Sequence, residues 1–219
     1  MARTALLTGA TGLVGGHLLR RLLADPTWER VVVLGRRPLD RDHPKLEQRV
    51  IDFERLPDLA DMPSADDAFS CLGTTIRQAG SEEAFQRVDL DYVVAFAEAA
   101  AQHGASQFLV VSAMGADAGS RIFYNRVKGE MEVAVAALPF EAVQIARPSL
   151  LLGDRDAFRL GERVGQVLAR PLAPLMLGPL RPYRPIEADA VAAALVDLAA
   201  SRPVGVHVYD SGALQHRAG

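Results

Sequence analysis

A tyrosine and a lysine stand four residues apart in the segment Tyr124-Asn125-Arg126-Val127-Lys128. On a helix, side chains at positions i and i+4 project from one face, so the lysine ammonium can lie near the phenol oxygen and favour its ionised form. A phenol in this setting can donate a proton to a carbonyl oxygen or remove one from an alcohol. The spacing predicts that Tyr124 is a general acid or base with Lys128 as its partner. Taken alone it also fits a pair on the surface of a helix, so the neighbouring elements must decide.

A third polar residue, Ser112, follows the apolar run that starts at Gln107. In open α/β sheets, ligands bind outside the carboxyl ends of the strands, which is where a residue at the end of this run would lie. We expect Ser112 to hydrogen-bond the substrate oxygen there and to stabilise the charge that develops on it. Ser112, Tyr124 and Lys128 are therefore the predicted catalytic residues.

The elements that must position these residues begin with a glycine turn. An apolar run from Thr4 to Leu7 precedes it, and Leu13 to Leu23 carries apolar residues at helical spacing after it. A strand, a glycine turn and a helix start are what a dinucleotide pyrophosphate needs, because glycines permit close approach and the helix end offers free N–H groups. A glycine turn without a ligand is the alternative. The predicted cofactor contacts are Gly9, Thr11, Gly12, Leu13, Val14 and Gly15 in the turn, with Lys128 hydrogen-bonding the nicotinamide ribose.

The residues after the second apolar run indicate which dinucleotide binds. An acidic residue at that point accepts hydrogen bonds from the adenosine ribose, whereas arginine accommodates a 2′-phosphate. The chain has Gly35-Arg36-Arg37 there and no carboxylate, so Arg36 and Arg37 favour NADP(H) over NAD. A solvated arginine pair is the alternative. Asp52 and Phe53, which close the predicted third strand, could hold and flank the adenine; equally, Asp52 could cap the following turn.

Apolar runs alternate with helical patterns along the chain, which is typical of repeated βαβ units. We predict one α/β domain over residues 1–219, with a doubly wound, Rossmann-type parallel sheet and helices on both faces. Its core would span 1–153, a proline-rich substrate-side segment 154–185, and a closing helix and strand 186–219. The predicted strands are Thr4 to Thr8, Arg30 to Gly35, Arg49 to Phe53, Ala68 to Leu72, Gln107 to Ser112, Ala142 to Arg147 and Gly205 to Tyr209; the predicted helices after the first are Glu82 to Ala101, Ile122 to Leu138 and Glu187 to Ala200.

Composition excludes several other classes. The chain has 219 residues with a net charge of −3, which is too balanced for a nucleic-acid-binding surface. One cysteine, Cys71, rules out an internal disulfide framework and a multi-cysteine metal site, and we expect it to be a buried packing residue. No apolar run has the length of a membrane span or a signal peptide. We therefore expect a cytoplasmic protein that is a monomer or a homodimer, with no metal, nucleic-acid or membrane partner.

In this combination, the motifs resemble the short-chain dehydrogenase/reductase superfamily from Arg3 to about Gly153. The resemblance narrows to the atypical branch that contains the Tat-interacting oxidoreductase-like proteins. It implies an NADP-binding Rossmann fold with Cys71, Leu72 and Gly73 on the adenosine side and with Pro148 and Ser149 near the nicotinamide amide. The segments that carry this narrower resemblance are Cys71-Leu72-Gly73-Thr74-Thr75, Arg87-Val88-Asp89, Ser112 with Gly115-Ala116-Asp117, Tyr124 to Glu130, and Arg147-Pro148-Ser149.

Two functions follow from these observations. The first is an NADP(H)-dependent oxidoreductase that transfers a hydride between nicotinamide and a small carbonyl or alcohol substrate. The second is a nucleotide-binding regulator or scaffold with little or no turnover. The presence of Ser112, Tyr124 and Lys128 together favours the enzyme.

Overall fold

A seven-stranded parallel sheet forms the centre of the protein, in the order β3-β2-β1-β4-β5-β6-β9. The computed structural model describes residues 3–58, 62–153 and 184–218. The strand order reverses between β1 and β4, and it is the arrangement of a doubly wound dinucleotide-binding sheet. The predicted fold class is confirmed. The strands are β1 Arg3–Thr8, β2 Trp28–Gly35, β3 Leu46–Val50, β4 Asp67–Ser70, β5 Gln107–Val111, β6 Ala142–Arg147, β7 Leu151–Leu152, β8 Ile186–Glu187 and β9 Gly205–Asp210, of which β7 and β8 pair separately.

Helices cover both faces of the sheet. On one face, α1 and α6 share a core with residues of β1 and β2, and Leu18 and Leu195 are fully buried in it. On the other face, α4 and α5 pack over β5 and β6 around Phe96 and Met131. Burial of these apolar faces fixes how the helices lie against the sheet and thereby fixes the edge at which their first turns meet. The helices are α1 Leu13–Ala24, α2 Ile76–Ala79, α3 Glu82–Gln86, α4 Tyr92–Gln102, α5 Phe123–Ala136, α6 Ala188–Ser201 and α7 Ser211–Ala218, with a 3₁₀ turn at Phe53–Asp58 and a π-helical turn at Arg87–Asp91.

The third and fourth strands end earlier than predicted. Pairing with β2 sets β3 at Leu46–Val50, although its side chains are only half-buried. The apolar signal that suggested a strand up to Phe53 comes instead from the 3₁₀ turn, where Phe53 and Leu56 are buried. β4 stops at Ser70, and the chain then crosses the glycine turn, with the Cys71 N–H donating to the Thr8 carbonyl over 3.0 Å.

The long helix predicted from residue 82 to 101 is one helical run with a defect in the middle. Ser81 caps it by accepting a hydrogen bond from the Ala84 N–H, and the π-helical turn then joins α3 to α4. Such turns occur frequently at functional sites. Predictions for residues 154–183 lie outside the described residues. Within the described residues, no helix has the length and apolar character needed to cross a membrane.

Candidate active site

The glycine turn after β1 is closed by contacts that leave no room for side chains. Gly9 has a φ of +78°, and a Cβ there would lie 2.3 Å from the Cys71 carbonyl oxygen. A Cβ on Gly15 would lie 2.2 Å from the Gly9 carbonyl oxygen. The Gly12 N–H donates to that same carbonyl over 2.9 Å. Because the turn folds against the start of α1, backbone N–H groups and the positive end of the helix face the space above the sheet.

That space is a cavity of about 1160 Å³ at the carboxyl ends of β1, β2 and β4. It lies at the point where the strand order reverses, which is where open α/β sheets bind ligands. Its size and its glycine floor fit a dinucleotide. The predicted cofactor residues that line it are Gly9, Thr11, Gly12, Leu13, Arg36, Arg37, Phe53, Cys71, Leu72 and Gly73.

Other predicted cofactor residues lie elsewhere. Val14 and Gly15 are buried at the start of α1 and do not line the cavity. Asp52 is exposed, does not line the cavity, and accepts a hydrogen bond from the Glu54 N–H over 3.1 Å. Of the two roles considered for Asp52, the structure shows turn capping. Phe53 lines the cavity and packs on Tyr92 with ring centroids 5.4 Å apart.

Several arginine side chains line the cavity. Arg36 and Arg37 are exposed and line it after β2, as predicted. Arg20, an exposed residue of α1, lines it as well. Arg20 gave no signal in the sequence, because it falls in an ordinary helical pattern. It lines the same cavity as Arg36 and Arg37 only because α1 packs beside β2.

Cys71 is half-buried and lines the cavity, so its expected burial as a packing residue is only partly correct. Its backbone makes the closest contact with the glycine turn, at Gly9. Burial raises the pKa of the Cys71 thiol to about 12. The thiol is therefore a neutral wall of the site at physiological pH.

Lys128 is almost fully buried and forms an ion pair with Asp89 of the π-helical turn. Its Nζ lies 2.6 Å from Asp89 Oδ1, and the Thr74 N–H donates to Asp89 Oδ2 over 2.8 Å. A Cβ on Gly73 would lie 3.4 Å from Asp89 Oδ1 and 3.9 Å from Lys128 Nζ. Gly73 lines the cavity, so the ion pair adjoins the cavity through a residue that has no side chain.

Tyr124 begins the same face of α5 one turn before Lys128. Its ring packs against Phe85, with centroids 5.3 Å apart. Burial raises the pKa of Tyr124 above its usual value, Lys128 acts to lower it, and the Asp89 carboxylate raises it again. The net direction is opposite to the one expected from the Tyr124–Lys128 spacing, because burial of the ring outweighs the lysine charge and the Asp89 carboxylate adds to the effect of burial.

Ser112 lies at the end of β5, where its N–H donates to the Ala146 carbonyl over 2.7 Å. Its hydroxyl donates to Glu132, a buried residue one turn beyond Lys128 on α5. Glu132 also accepts from Arg147, whose Nε lies 2.9 Å from Oε1 and 3.1 Å from Oε2. Tyr124, Lys128 and Glu132 thus stand at i, i+4 and i+8, and the hydroxyl proton of Ser112 is directed into this helix face.

Pro148 and Ser149 follow β6 and connect to the C-terminal elements. The Met114 N–H donates to the Pro148 carbonyl over 3.0 Å, and the Ser149 N–H donates to Ser211 Oγ over 2.7 Å. Neither residue lines the cavity, and their expected position near a nicotinamide amide stays a prediction.

The site residues that were not predicted from the sequence contact partners that are far away along the chain. Asp89 entered only as part of a resemblance, and Glu132 not at all, although its spacing from Lys128 and Tyr124 was a readable signal. Thr74 and Arg87 likewise entered only as part of the resemblance, and Tyr92 not at all, although all three line the cavity.

The comparisons with known proteins agree with this geometry. The NAD(P)H-binding family model matches residues 9–143. Protein HTATIP2 of Rattus norvegicus is 39% identical over 164 residues, which cover 73% of this chain and 67% of that protein. The mitochondrial protein fmp52 of Emericella nidulans is 35% identical over 181 residues, which cover 78% of this chain and 76% of that protein.

Solved structures with the same fold include proteins with bound NAD or NADPH. MoeE5 in complex with UDP-glucuronic acid and NAD aligns with a TM-score of 0.70 at 21% identity, covering 95% of this chain and 76% of that one. The human epimerase family protein SDR39U1 with NADPH aligns with a TM-score of 0.64 at 18% identity, covering 94% and 74%. At these identities the likeness shows the fold alone.

The relatives also correct one expectation. Several fungal relatives are named as mitochondrial proteins, among them FMP52 of Candida albicans at 30% identity over 202 residues. The prediction of a cytoplasmic protein from composition is therefore wrong, because the absence of a recognisable targeting segment says little about where relatives of this kind reside. With the glycine cradle and the match over residues 9–143, the chain belongs to the NAD(P)H-binding family and resembles its HTATIP2-like members of the atypical short-chain dehydrogenase/reductase branch.

Proposed function

We propose that this protein is an NADP(H)-dependent oxidoreductase that reduces or forms a carbonyl group, with Tyr124 as the general acid or base. The observation that supports the proposal is the position of the Lys128–Asp89 pair beside Gly73, a residue that lines the cavity suited to a dinucleotide; Tyr124, Lys128 and Ser112 do not line the cavity themselves. NADPH would supply the hydride to a carbonyl carbon. The protein supplies the proton, its orientation and the walls of the site.

Proton transfer would run through the Tyr124 phenol. In reduction, the substrate oxygen takes the phenol proton; in oxidation, the phenolate takes the alcohol proton. Lys128 would stabilise the phenolate by its charge. The Ser112 hydroxyl donates its hydrogen bond to Glu132 in this structure. Its oxygen would therefore accept a hydrogen bond from a substrate hydroxyl and would not donate one to an oxyanion.

The preference for NADP(H) rests on the arginine side chains that line the cavity. Arg36 and Arg37 follow β2, and Arg20 of α1 adds a third cation. A phosphate monoester favours planar guanidinium groups, which bind it through paired N–H donors. We propose that these residues hold the 2′-phosphate of the cofactor.

The direct test is turnover of a panel of aldehydes and ketones with NADPH, followed by loss of nicotinamide absorbance. Tyr124→Phe should abolish turnover and keep NADPH affinity, because the ring stays and only the hydroxyl is lost. Tyr209→Phe is a matched control that removes a hydroxyl away from the cavity. Tyr209 lies on β9, where its hydroxyl donates a hydrogen bond to Gln144 Oε1 over 3.1 Å. Turnover that persists in Tyr124→Phe would reject the assigned role.

Cofactor preference has its own test. Arg36→Ala should weaken NADPH binding by about tenfold or more, in line with the loss of a charge-assisted hydrogen bond, and leave NADH binding unchanged. Arg55→Ala serves as the control, because Arg55 is exposed and does not line the cavity. An unchanged ratio of NADPH to NADH affinity in Arg36→Ala would contradict the phosphate contact.

One observation favours a second function. The Ser112 hydroxyl is committed to Glu132, so one of the three residues of the proposed chemistry is held by another side chain. A nucleotide-binding regulator needs the cavity but not a free serine. Tight NADPH binding with no turnover over the whole carbonyl panel would support this function and contradict the enzyme.

A further inference from the structure

Lys128 forms a buried ion pair with Asp89, a residue that the proposed proton transfer does not use. The side chains are 5% and 1% exposed, and Nζ lies 2.6 Å from Oδ1. Removing two charges from water is costly, so the attraction between them must offset a large loss of hydration. The second carboxylate oxygen accepts the Thr74 N–H, while Oδ1 makes an ion pair with Lys128 and no hydrogen bond within the described residues.

The pair determines how much of the lysine charge reaches Tyr124. An isolated ammonium four residues along the helix would stabilise a phenolate. Burial of the ring, which packs against Phe85, favours the neutral phenol most, and the Asp89 carboxylate in contact with Lys128 offsets part of the lysine charge at the phenol.

The other charged groups around this position are themselves paired. Glu132 follows Lys128 on α5 and is bound to Arg147 of β6. Arg87, on the same π-helical turn as Asp89, lies 3.7 Å from Glu54. Among the described residues, Lys128 and Asp89 are the charges that act on Tyr124.

We propose that Asp89 is a positioning residue whose ion pair with Lys128 withholds part of the lysine charge from the Tyr124 phenol, so that the phenol serves as a proton donor for reducing a carbonyl rather than as a base for oxidising an alcohol. This inference rests on the proposed function. In the forward step, the carbonyl carbon accepts the hydride and its oxygen takes the Tyr124 proton, which forms the O–H bond of the alcohol. The phenolate left behind regains a proton from water.

The test is a residue-specific titration that needs no substrate. Protein labelled with carbon-13 at the tyrosine Cζ gives one signal for each of the four tyrosines, and Tyr124→Phe assigns the signal of interest. We expect Asp89→Asn to lower the pKa of Tyr124 by about 1 unit or more, within the range that a newly unpaired charge nearby produces. Asn preserves the shape and can still accept from Thr74.

Asp91→Asn is the matched control. Asp91 lies on the same turn and is exposed, so its loss removes a charge of the same sign without touching Lys128. We expect the Tyr124 titration to be unchanged in this variant. A Tyr124 pKa that stays constant or rises in folded Asp89→Asn protein, or that falls equally in Asp91→Asn, would overturn the proposal.

Asp89→Asn leaves a buried ammonium unpaired, which can prevent folding. The second comparison is therefore Lys128→Met against Asp89→Asn/Lys128→Met, where the double variant contains no buried charge at this position. Because Asp89 acts through Lys128, removing Asp89 in this background should leave the pKa of Tyr124 nearly unchanged, and a fall as large as the one expected in Asp89→Asn would overturn the proposal. Failure of every Asp89 variant to fold would assign Asp89 to stability alone and reject the positioning role.

The outcome is separable from that of the proposed function. A titration that shifts as expected, in a protein that reduces no carbonyl of the panel, supports the ion-pair inference and contradicts the enzyme. Turnover that depends on Tyr124 with no shift in Asp89→Asn supports the enzyme and contradicts the inference. For any carbonyl that is turned over, the pH at which reduction slows should be lower in Asp89→Asn, because reduction requires the protonated phenol.

Discussion

Two adjacent glycines in the first helix should respond in opposite directions to the same substitution. A Cβ on Gly15 would lie 2.2 Å from the Gly9 carbonyl oxygen and 2.7 Å from the Gly9 carbonyl carbon. A Cβ on Gly16 would lie 3.5 Å from the Ala10 carbonyl oxygen, which is an ordinary van der Waals contact. Both positions belong to α1, so the intrinsic helix preference of alanine is the same at each.

The magnitudes follow from these contacts. In a helix, alanine is favoured over glycine by about 0.5–1 kcal/mol, so Gly16→Ala should raise the free energy of unfolding by about that amount. In Gly15→Ala the gain is outweighed, because the contact is with backbone atoms that cannot rotate away. Overpacking of this kind costs about 1–3 kcal/mol, which leaves a net loss of up to about 2 kcal/mol.

The assay is urea unfolding followed by circular dichroism, with NADPH affinity measured on the same proteins. In thermal unfolding of the same proteins, about 1 kcal/mol corresponds to a change of roughly 2–4 °C in the midpoint Tm for a domain of this size. The two variants should therefore separate clearly. Gly15→Ala should also weaken NADPH binding, because the carbonyl it displaces accepts the Gly12 N–H that closes the turn. A Gly15→Ala protein as stable as the wild type, with unchanged NADPH affinity, would refute the close approach of α1 to the turn.

Three further predictions test other parts of the structure. Iodoacetamide should alkylate Cys71 about 1000-fold more slowly at about pH 8 in the folded protein than in the urea-unfolded chain, because burial raises the thiol pKa to about 12; equal rates would contradict its burial. Glu132→Gln should destabilise the protein by about 1–3 kcal/mol in urea, since Arg147 loses its buried carboxylate partner, whereas Glu130→Gln on the exposed face should change stability by less than about 0.5 kcal/mol. Hydrogen bonds from Arg21 and His17 of α1 hold the pKa of Asp189 below its usual value. The stability that this carboxylate adds is therefore present above about pH 4 and is lost as the pH falls further. Asp189→Asn should therefore flatten the acid limb of thermal stability, and an unaltered limb would count against the pairing.

Much of the fold was predictable because it depends on local patterns. The glycine turn follows an apolar run and opens a helix within a dozen residues, so Gly9 and Gly12 identify themselves by spacing. The strand at Ala142–Arg147 was predicted to the residue because four of its six residues are apolar and five are buried. A glycine in a turn that other residues cannot form, and a short buried apolar run that fits only a strand, each indicate their local structure without information from the rest of the chain.

The ends of the strands were not predictable in the same way. β3 is polar and stops at Val50 because its hydrogen bonds are made with β2, and the apolar residues beyond it belong to a 3₁₀ turn. The C-terminal helix Ser211–Ala218 has little apolar periodicity of its own and is held by contacts with α6. In these cases a partner elsewhere in the chain sets the element.

For the candidate site, the residue types and their spacing were sufficient to predict the chemical groups: a glycine turn for a dinucleotide, arginines after β2, and a tyrosine with a lysine one helical turn away. The electrostatics of these groups depends on the folded arrangement. Asp89 reaches Lys128 from a π-helical turn, and Glu132 accepts a hydrogen bond from Ser112, twenty residues earlier in the sequence. Charges act through space at distances that spacing along a chain does not record, so the ionisation of Tyr124 is set by folding and not by the motif in which it stands.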